Sequence, residues 1–245
     1  MTSDSSHLPQ RDLDYAVRGI KNLYVKLAAN EGWFRQSWLG VPIWQISDDI
    51  VRLQRVVADV KPTWIVETGT KFGGSAIFFA SLLSLLGRKP EDPGGIITVD
   101  IHRTTEATEV LGSHPYANYV RAALVGDAAA PETIAAVKAE IVKQPGSVLV
   151  FLDDNHNAEH VYREILGYAP LVTPGSYLIV ADTVFAEMGG TPVGVPTEKY
   201  PDVELSNPRV ALHRFLKEDH TFHRDESYAA GGASNFPDGF LRRVR

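Results

Sequence analysis

Cysteine is absent from this chain of 245 residues. Without thiols the chain forms no disulfide, no thiolate-ligated zinc site and no cysteine-based covalent intermediate. Any metal ion that these residues bind must therefore be held by oxygen atoms or by histidine nitrogen.

Long apolar runs and large basic blocks are missing too. No segment approaches the roughly 20 apolar residues of a membrane span, and the first ten residues lack the charged and then apolar pattern of a secretory signal. The net charge is −6, and the basic residues of 241–245 are too few to attract a polyanion. We therefore expect a cytoplasmic protein that binds neither nucleic acid nor membrane.

Apolar residues make up 44% of the chain, enough to bury one full α/β core and leave residues for an arm or lid. Residues 1–47 are predicted to form an N-terminal helical arm and an aromatic connector that contains Trp33, Trp38 and Trp44. Residues 48–245 are predicted to form the main domain. Tryptophans in such a connector fit a lid or an interface as well as they fit packing onto the domain.

From Trp64 onward, apolar runs alternate with segments of helical spacing, as in a parallel sheet joined by right-handed crossovers. The alternation predicts a doubly wound, Rossmann-like α/β sheet. Predicted strands begin at 64 and span 95–100, 122–127, 147–153 and 175–182, with a terminal pair from 222 onward around a loop at Gly231-Gly232. Predicted helices span 12–30, 48–60, 131–143 and 208–219, and two more end near 86 and 168.

The most informative segment is 64–80, where an apolar run, a glycine-rich turn and an amphipathic run meet. Glycine adopts positive φ freely and lets a ligand approach the backbone, so Gly69, Gly73 and Gly74 suggest a nucleotide-like ligand. Their spacing, with Glu67 two residues before the first of them, fits neither the dinucleotide fingerprint nor the Walker loop. A plain strand-to-helix turn is the structural alternative.

An acid at the end of the first parallel strand, followed by this glycine spacing, resembles motif I of the class I S-adenosylmethionine-dependent methyltransferases. This cofactor carries an amine and a sulfonium but no phosphate, so a carboxylate suits it better than a basic side chain. Asp100 ends the next strand, where a carboxylate can accept the ribose hydroxyls. The predicted cofactor-binding residues are Glu67, Gly69, Thr70, Lys71, Gly73, Gly74, Ser75, Asp100, His102 and Asp127.

Acidic residues stand at the ends of four predicted strands, on the edge where open α/β sheets bind ligands. They are Asp100, Asp127, Asp153 and Asp182. Neighbouring strands lie roughly 4.8 Å apart, so Asp153 and Asp182 can share a hard divalent cation, for which we expect Mg²⁺. Helix capping is the alternative explanation for any one of these acids.

A histidine follows the fourth of these strands, three residues after Asp153. This histidine, His156, lies four residues before His160 with Glu159 between them, a spacing that resembles the reversed zincin pattern of zinc hydrolases. The position of His156 beside Asp153, and the glycine loop earlier in the chain, argue against zinc hydrolysis. We expect His160 on the surface of a helix.

Several segments together resemble the cephalosporin hydroxylase family. They are residues 67–75, Asp100, residues 151–156, residues 172–182 and residues 235–244, within a resemblance that covers about 38 to 245. That family looks like Mg²⁺-dependent and S-adenosylmethionine-dependent O-methyltransferases, including enzymes that methylate rhamnose on macrolide and polyketide glycosides. The resemblance implies a class I methyltransferase fold, a small-molecule glycoside as acceptor and a homo-oligomer.

Residue by residue, the resemblance implies Asp153 and Asp182 as metal ligands, Asp153 as a catalytic residue and His156 as the general base. The family usually has a Glu-Asp pair where this chain has Ala181-Asp182, so one acidic ligand is missing. The candidates to replace it are Asp154, Thr183 and water.

The resulting hypothesis is methyl transfer from S-adenosylmethionine to a sugar hydroxyl, with rhamnose as the expected sugar. A sugar hydroxyl has a high pKa and is a poor nucleophile, so it gains from a metal and from a base within hydrogen-bond reach. Three alternatives stay open: methylation of a cephalosporin-type β-lactam, methylation of a catechol-like diol, and cofactor binding without catalysis.

Overall fold

The computed structural model describes residues 10–30, 36–188, 198, 200–228 and 233–245. Trp33 and the loop predicted at Gly231-Gly232 lie outside these residues. The helices are α1 (Gln10–Asn30), α2 (Ser47–Val60), α3 (Gly74–Leu85), α4 (Thr105–Ser113), α5 (Pro131–Lys143), α6 (Ala158–Tyr168) and α7 (Pro208–Glu218). The strands are β1 (Ser37–Trp38), β2 (Val41–Pro42), β3 (Trp64–Thr68), β4 (Gly95–Asp100), β5 (Val120–Val125), β6 (Val148–Leu152), β7 (Tyr177–Val180), β8 (Phe222–Arg224) and β9 (Phe240–Arg243).

Seven of the strands form one sheet in the order β5-β4-β3-β6-β7-β9-β8. Strands β3 to β7 are parallel, whereas β9 pairs antiparallel with both β7 and β8. The chain builds outward from β3 to β5 and then returns to place β6 on the other side of β3. Ligands of open α/β sheets bind where the strand order reverses in this way. The predicted doubly wound α/β fold is confirmed.

Apolar side chains cover both faces of the sheet. Trp64 and Val66 of β3 pack in one cluster with residues of α5, α6 and α7, whereas Ile65 packs in a second cluster with residues of α2 and α3. All residues of β3, β6 and β7 are buried. Central parallel strands covered on both faces read as continuous apolar runs, which is why the sequence pattern found them. In the described part of the chain, no helix has the length and apolar character to cross a membrane.

The aromatic connector packs onto the main domain. The ring of Trp38 meets Phe78 edge to face at 5.0 Å, and its Nε1 donates a hydrogen bond to Ser81 Oγ of α3 at 3.0 Å. Trp44 is half exposed and contacts Phe72 in the glycine loop at a ring separation of 5.5 Å. The connector thus forms part of the wall beside the candidate site.

Two elements have no counterpart in the sequence prediction. One is the short hairpin of β1 and β2, and the other is α4, between β4 and β5. Ala107 is the one buried residue of α4, so this helix has no apolar stripe for a pattern to detect. Its visible signal is the cap, because the Thr104 side chain accepts a hydrogen bond from Ala107 N.

A buried ion pair within α2 makes hydrogen bonds to the C-terminal segment. Arg52 Nη1 lies 3.0 Å from Asp49 Oδ1, and Arg52 Nε donates to the Tyr228 carbonyl at 2.7 Å. Asp49 also accepts hydrogen bonds from Ser234 Oγ and Asn235 N, both at 2.7 Å. Burial nevertheless raises the pKa of Asp49 to about 6. These hydrogen bonds hold the C-terminal segment against α2. Removing either Asp49 or Arg52 would leave the other as an uncompensated buried charge.

Gly69 marks the tightest contact between the glycine loop and the end of β6. Its φ is +89°, and a Cβ at this position would lie 2.1 Å from the Asp153 carbonyl oxygen. Gly87 has a similar φ of +84°, but a Cβ there would meet nothing within 4 Å. Gly87→Ala therefore tests the backbone conformation alone and is the matched control for Gly69→Ala.

We expect Gly87→Ala to lower the free energy of unfolding by about 1 kcal/mol and Gly69→Ala to lower it by at least about 3 kcal/mol, because only the second adds a clash with backbone. Urea unfolding of both variants measures the difference. Equal losses would mean that the close approach of loop and strand contributes nothing to stability.

Candidate active site

The loop between β3 and α3 is built from left-handed backbone conformations. Gly69, Lys71 and Gly73 have φ of 89°, 47° and 86°. A Cβ on Gly74 would lie 2.0 Å from the Pro42 carbonyl oxygen, so this position admits only glycine without a shift of β2. The loop therefore holds one compact turn at the carboxyl edge of the sheet, next to the point where the strand order reverses.

Asp100, at the end of β4, fastens this loop from the side. Its Oδ2 accepts a hydrogen bond from Lys71 N at 2.8 Å, and its Oδ1 accepts one from His102 N at 3.3 Å. The Thr104 hydroxyl donates a hydrogen bond to the Lys71 carbonyl at 3.0 Å, which is a second connection between the glycine loop and the segment after β4. Each carboxylate oxygen has two lone pairs, so Asp100 keeps the capacity to accept further hydrogen bonds from a ligand.

Glu67 is fully buried on β3 beneath the loop. Among the described residues, neither of its carboxylate oxygens has a hydrogen-bond partner of good geometry. Burial raises the pKa of Glu67 to about 7, which the nearby Thr98 and Ser75 hydroxyls only partly oppose, and Asp100 raises it further. The Thr98 hydroxyl is itself hydrogen-bonded to Thr70 Oγ1. A buried carboxylate in this state is stabilised by a positively charged ligand.

Asp153 follows β6 and points toward the N-terminal connector. Gln45 Nε2 donates a hydrogen bond to Asp153 Oδ2 at 2.6 Å, and Gln45 Oε1 is buried with no partner among the described residues. Burial, then the charges of Asp182 and Glu67, raise the pKa of Asp153 well above its usual range. Sequence reasoning missed Gln45. Its signal was a single amide within the apolar residues 41–46.

Asp182 and His156 meet beside Asp153. His156 Nε2 lies 3.4 Å from Asp182 Oδ2, and the imidazole ring is flanked by Phe185 at 4.5 Å and Tyr200 at 5.2 Å. Burial, with a contribution from Asp49, raises the pKa of Asp182 to about 7. The three residues predicted for catalysis and metal binding therefore lie at the ends of the neighbouring strands β6 and β7.

The position of the missing acidic ligand is apolar. Ala181 is buried in the core cluster that faces α2 and α3. Thr183 Oγ1 accepts a hydrogen bond from Asp238 N at 3.3 Å, and Asp154 Oδ2 lies 3.4 Å from His160 Nε2. The side chains of Thr183 and Asp154 thus face other groups, and water is the third candidate.

His160 is not on the helix surface, and that prediction is wrong. Only 15% of its side chain is exposed, and its Nε2 faces Asp154, Glu164 and Asp127. The prediction failed because the face of α6 that carries His160 packs toward the ends of the strands and not toward solvent. Asp127, predicted to bind the cofactor, also accepts a hydrogen bond from Ala129 N at 2.9 Å as α5 approaches.

The reversed zincin spacing does not produce a shared metal site. His156 precedes α6 and faces Asp182, whereas His160 lies within α6 and faces Asp154. Glu159 is exposed and pairs with Arg214 at 3.1 Å. The two histidines therefore contact different groups, and their sequence spacing carries no hydrolase chemistry.

A doubly wound sheet of this strand order, with a glycine loop and strand-end acids where the order reverses, is the arrangement of a class I methyltransferase. The chain belongs to the rhamnosyl O-methyltransferase/CmcI family, whose sequence profile matches residues 30–244. The membership predicted from the motifs, in the family that includes CmcI, is confirmed.

Relatives of known name support this membership. A rhamnosyl O-methyltransferase of Mycobacterium tuberculosis is 28% identical over 214 residues, which cover 86% of this chain and 79% of the relative. A rhamnosyl O-methyltransferase of Mycobacterium leprae is 29% identical over 161 residues, which cover 66% of this chain and 65% of the relative.

Solved structures share the fold at lower identity. A Mg–SAM structure of CmcI aligns with a TM-score of 0.60 at 18% identity and covers 87% of this chain and 78% of CmcI. The apo structure of CalS11, a TDP-rhamnose 3'-O-methyltransferase of calicheamicin biosynthesis, aligns with a TM-score of 0.54 at 18% identity. The alignment covers 97% of this chain and 96% of CalS11.

The pKa of Glu67 predicts how ligand-free stability depends on pH. Burial raises it from 4.5 to about 7, so between these values the folded chain keeps a proton that the unfolded chain releases. The free energy of unfolding therefore falls as the pH rises through this window, and the contribution is fully lost above pH 7.

When the pH rises from 5 to 7.5, we expect the free energy of unfolding to fall less in Glu67→Gln than in the parent chain. The expected difference between the two decreases is up to about 3 kcal/mol. Urea unfolding at both pH values, without ligand, measures the difference, and the exposed Glu91→Gln is the control. Parallel pH dependences for Glu67→Gln and the parent chain would contradict the assignment.

Proposed function

We propose that this chain transfers a methyl group from S-adenosylmethionine to a rhamnose hydroxyl of a glycosylated natural product. The observation that carries the proposal is the contact of His156 Nε2 with Asp182 at 3.4 Å, beside Asp153 and the glycine loop, in a chain of this family. The names of its relatives, rhamnosyl O-methyltransferases, support the sugar. A homo-oligomer in the cytoplasm belongs to the same proposal.

The cofactor fits the loop and the acids around it. The unpartnered oxygens of Glu67 and the acidic surroundings of Asp100 and Asp153 favour a ligand that carries an amine and a sulfonium. Lys71, the loop's one basic residue, holds its Nζ 4.9 Å from the ring centre of Trp44, which does not suit a phosphate. The Mg–SAM structure of CmcI supports the same cofactor for this chain.

Mg²⁺ fits Asp153 and Asp182. Their carboxyl groups are partly buried hard-oxygen donors with raised pKa values, so a cation would replace the protons that they otherwise hold. Mg²⁺ keeps several waters and commonly takes one or two protein carboxylates, so the apolar Ala181 does not prevent binding. When bound, the ion would polarise the acceptor hydroxyl and lower its pKa.

His156 is the proposed base. The acceptor oxygen attacks the methyl carbon as the sulfur–carbon bond breaks, and the hydroxyl proton passes to the imidazole. Asp182, 3.4 Å from Nε2, stabilises the imidazolium that forms. The rings of Phe185 and Tyr200 restrict the orientation of the imidazole and exclude water from its sides.

Two substitutions separate cofactor binding from metal use. We expect Asp100→Ala to weaken S-adenosylmethionine binding in calorimetric titration, because it removes the carboxylate that holds the loop. Asp153→Asn is expected to keep cofactor binding and to abolish the stimulation of turnover by Mg²⁺. Turnover is measured on rhamnosides, cephalosporins and catechols, with Mg²⁺ and with EDTA.

If only cephalosporins or only catechols were methylated, that compound class and not the sugar would be the acceptor. Cofactor binding without turnover on any acceptor would favour a binding protein, and absence of cofactor binding would refute the proposal. Loss of stability alone in both variants would overturn the assigned roles of Asp100 and Asp153.

His156→Ala is expected to lower kcat by about 10²- to 10⁴-fold, the usual contribution of a general base, while cofactor binding stays the same. The exposed His220→Ala is the matched control and should behave like the parent chain. Full activity of His156→Ala would assign the base to another group, with Asp154 as the next candidate.

A further inference from the structure

One side of α6 carries ionisable groups that the proposed methyl transfer does not use. His160 and Glu164 are one turn apart on this helix, and they face Asp154 from the segment after β6 and Asp127 from the segment after β5. We call these four residues the α6 cluster. The cluster contains one imidazole, that of His160, and three carboxyl groups.

The distances around His160 are unlike those of a hydrogen-bonded pair. Its Nε2 lies 3.4 Å from Asp154 Oδ2, 3.6 Å from Glu164 Oε2 and 3.8 Å from Asp127 Oδ1. Hydrogen bonds from nitrogen to oxygen normally span 2.7 to about 3.2 Å. Among the described residues, this nitrogen has no hydrogen bond of good geometry, and Asp154 is its nearest carboxylate. Three carboxylate oxygens thus lie around the nitrogen at distances longer than a normal hydrogen bond.

Glu164 is an independent sign that the cluster is incomplete without a ligand. The residue is fully buried, its side chain points at His160, and neither carboxylate oxygen has a hydrogen bond of good geometry within the described chain, although the Asp154 carboxyl and the Thr68 hydroxyl lie close enough to affect its pKa. The hydroxyl of Tyr168, one turn further along α6, is likewise buried without one. Buried carboxylates without hydrogen bonds are normally paired with a charge or coordinate a metal.

The spacing and the ligand types select the ion. Donor atoms from Asp154, His160 and Glu164 all lie within 4.8 Å of one another. Tetrahedral Zn²⁺, with bonds of about 2.0–2.1 Å, separates its donors by roughly 3.4 Å. Octahedral Mg²⁺ separates adjacent donors by about 3.0 Å and prefers oxygen to imidazole nitrogen. The two nitrogen-to-oxygen distances of 3.4 and 3.6 Å and the imidazole donor match Zn²⁺ better than Mg²⁺.

We infer that Asp154, His160 and Glu164 bind a second metal ion of the Zn²⁺ type, separate from the Asp153–Asp182 pair. Asp127 or water completes the four ligands. Asp154 directly follows Asp153, yet the two side chains contact different elements: Asp153 bonds to Gln45 of the connector, and Asp154 faces α6. The ion would tie α6 to the segment that carries Asp153, and this role does not depend on methyl transfer.

The test uses the full chain without a histidine tag, stripped of metal by a chelator. Zn²⁺ is titrated in competition with a chromophoric chelator, in the presence of excess Mg²⁺. We expect one equivalent of Zn²⁺ to bind and Mg²⁺ not to displace it. Glu164→Gln, which keeps the shape of the side chain, should bind at least about 10-fold more weakly, whereas Asp153→Asn should bind as tightly as the parent chain.

A second measurement needs no variant. Co²⁺ added to the stripped parent chain should give the intense visible absorption of a four-coordinate ion. A weak six-coordinate spectrum would overturn the inference even if Glu164→Gln failed to fold. Absence of one-equivalent Zn²⁺ binding, or equal binding by Glu164→Gln, would also overturn it. Loss of binding in Asp153→Asn alone would assign the ion to the Asp153–Asp182 pair instead.

Discussion

Buried carboxylates at the carboxyl edge of the sheet are the constraint on which the site depends. Glu67 and Glu164 are fully buried, Asp153 and Asp182 are partly buried, and burial is the first cause of a raised pKa in each of the four. Such groups are stable only when they take a proton, a hydrogen-bond donor or a cation. The proposed sulfonium cofactor and divalent ion would supply what these groups require, so the binding of these ligands would be linked to the stability of the folded chain.

The register of the sheet brings these acids together. Thr68 of β3 pairs with Leu152 of β6, and Leu152 pairs with Val180 of β7, so the three strands end side by side. The residues that follow them form the floor of the site. Because Gly69 lacks a side chain, the loop can pack directly against the backbone of Asp153. One missing Cβ therefore sets the distance between the glycine loop and the end of β6.

The sequence patterns predicted most of the fold because most of its elements are locally encoded. The central strands are buried on both faces and read as apolar runs, and α2 and α6 carry regular apolar spacing. By contrast, α4 has one buried residue and left no pattern. The prediction for His160 failed for a related reason. Spacing along a helix shows which residues share a face, but it does not show which neighbours that face meets.

The sequence by itself determined the class of fold, the family and the acids at the strand ends, because these depend on residue type and on short-range spacing. The tertiary structure decided which groups meet. Gln45 reaches Asp153 across 108 positions of the chain, and Glu164 faces His160 and Asp154 in a buried cluster. Such contacts arise from the packing of elements far apart in the chain. Their energies depend on burial, which no local pattern encodes.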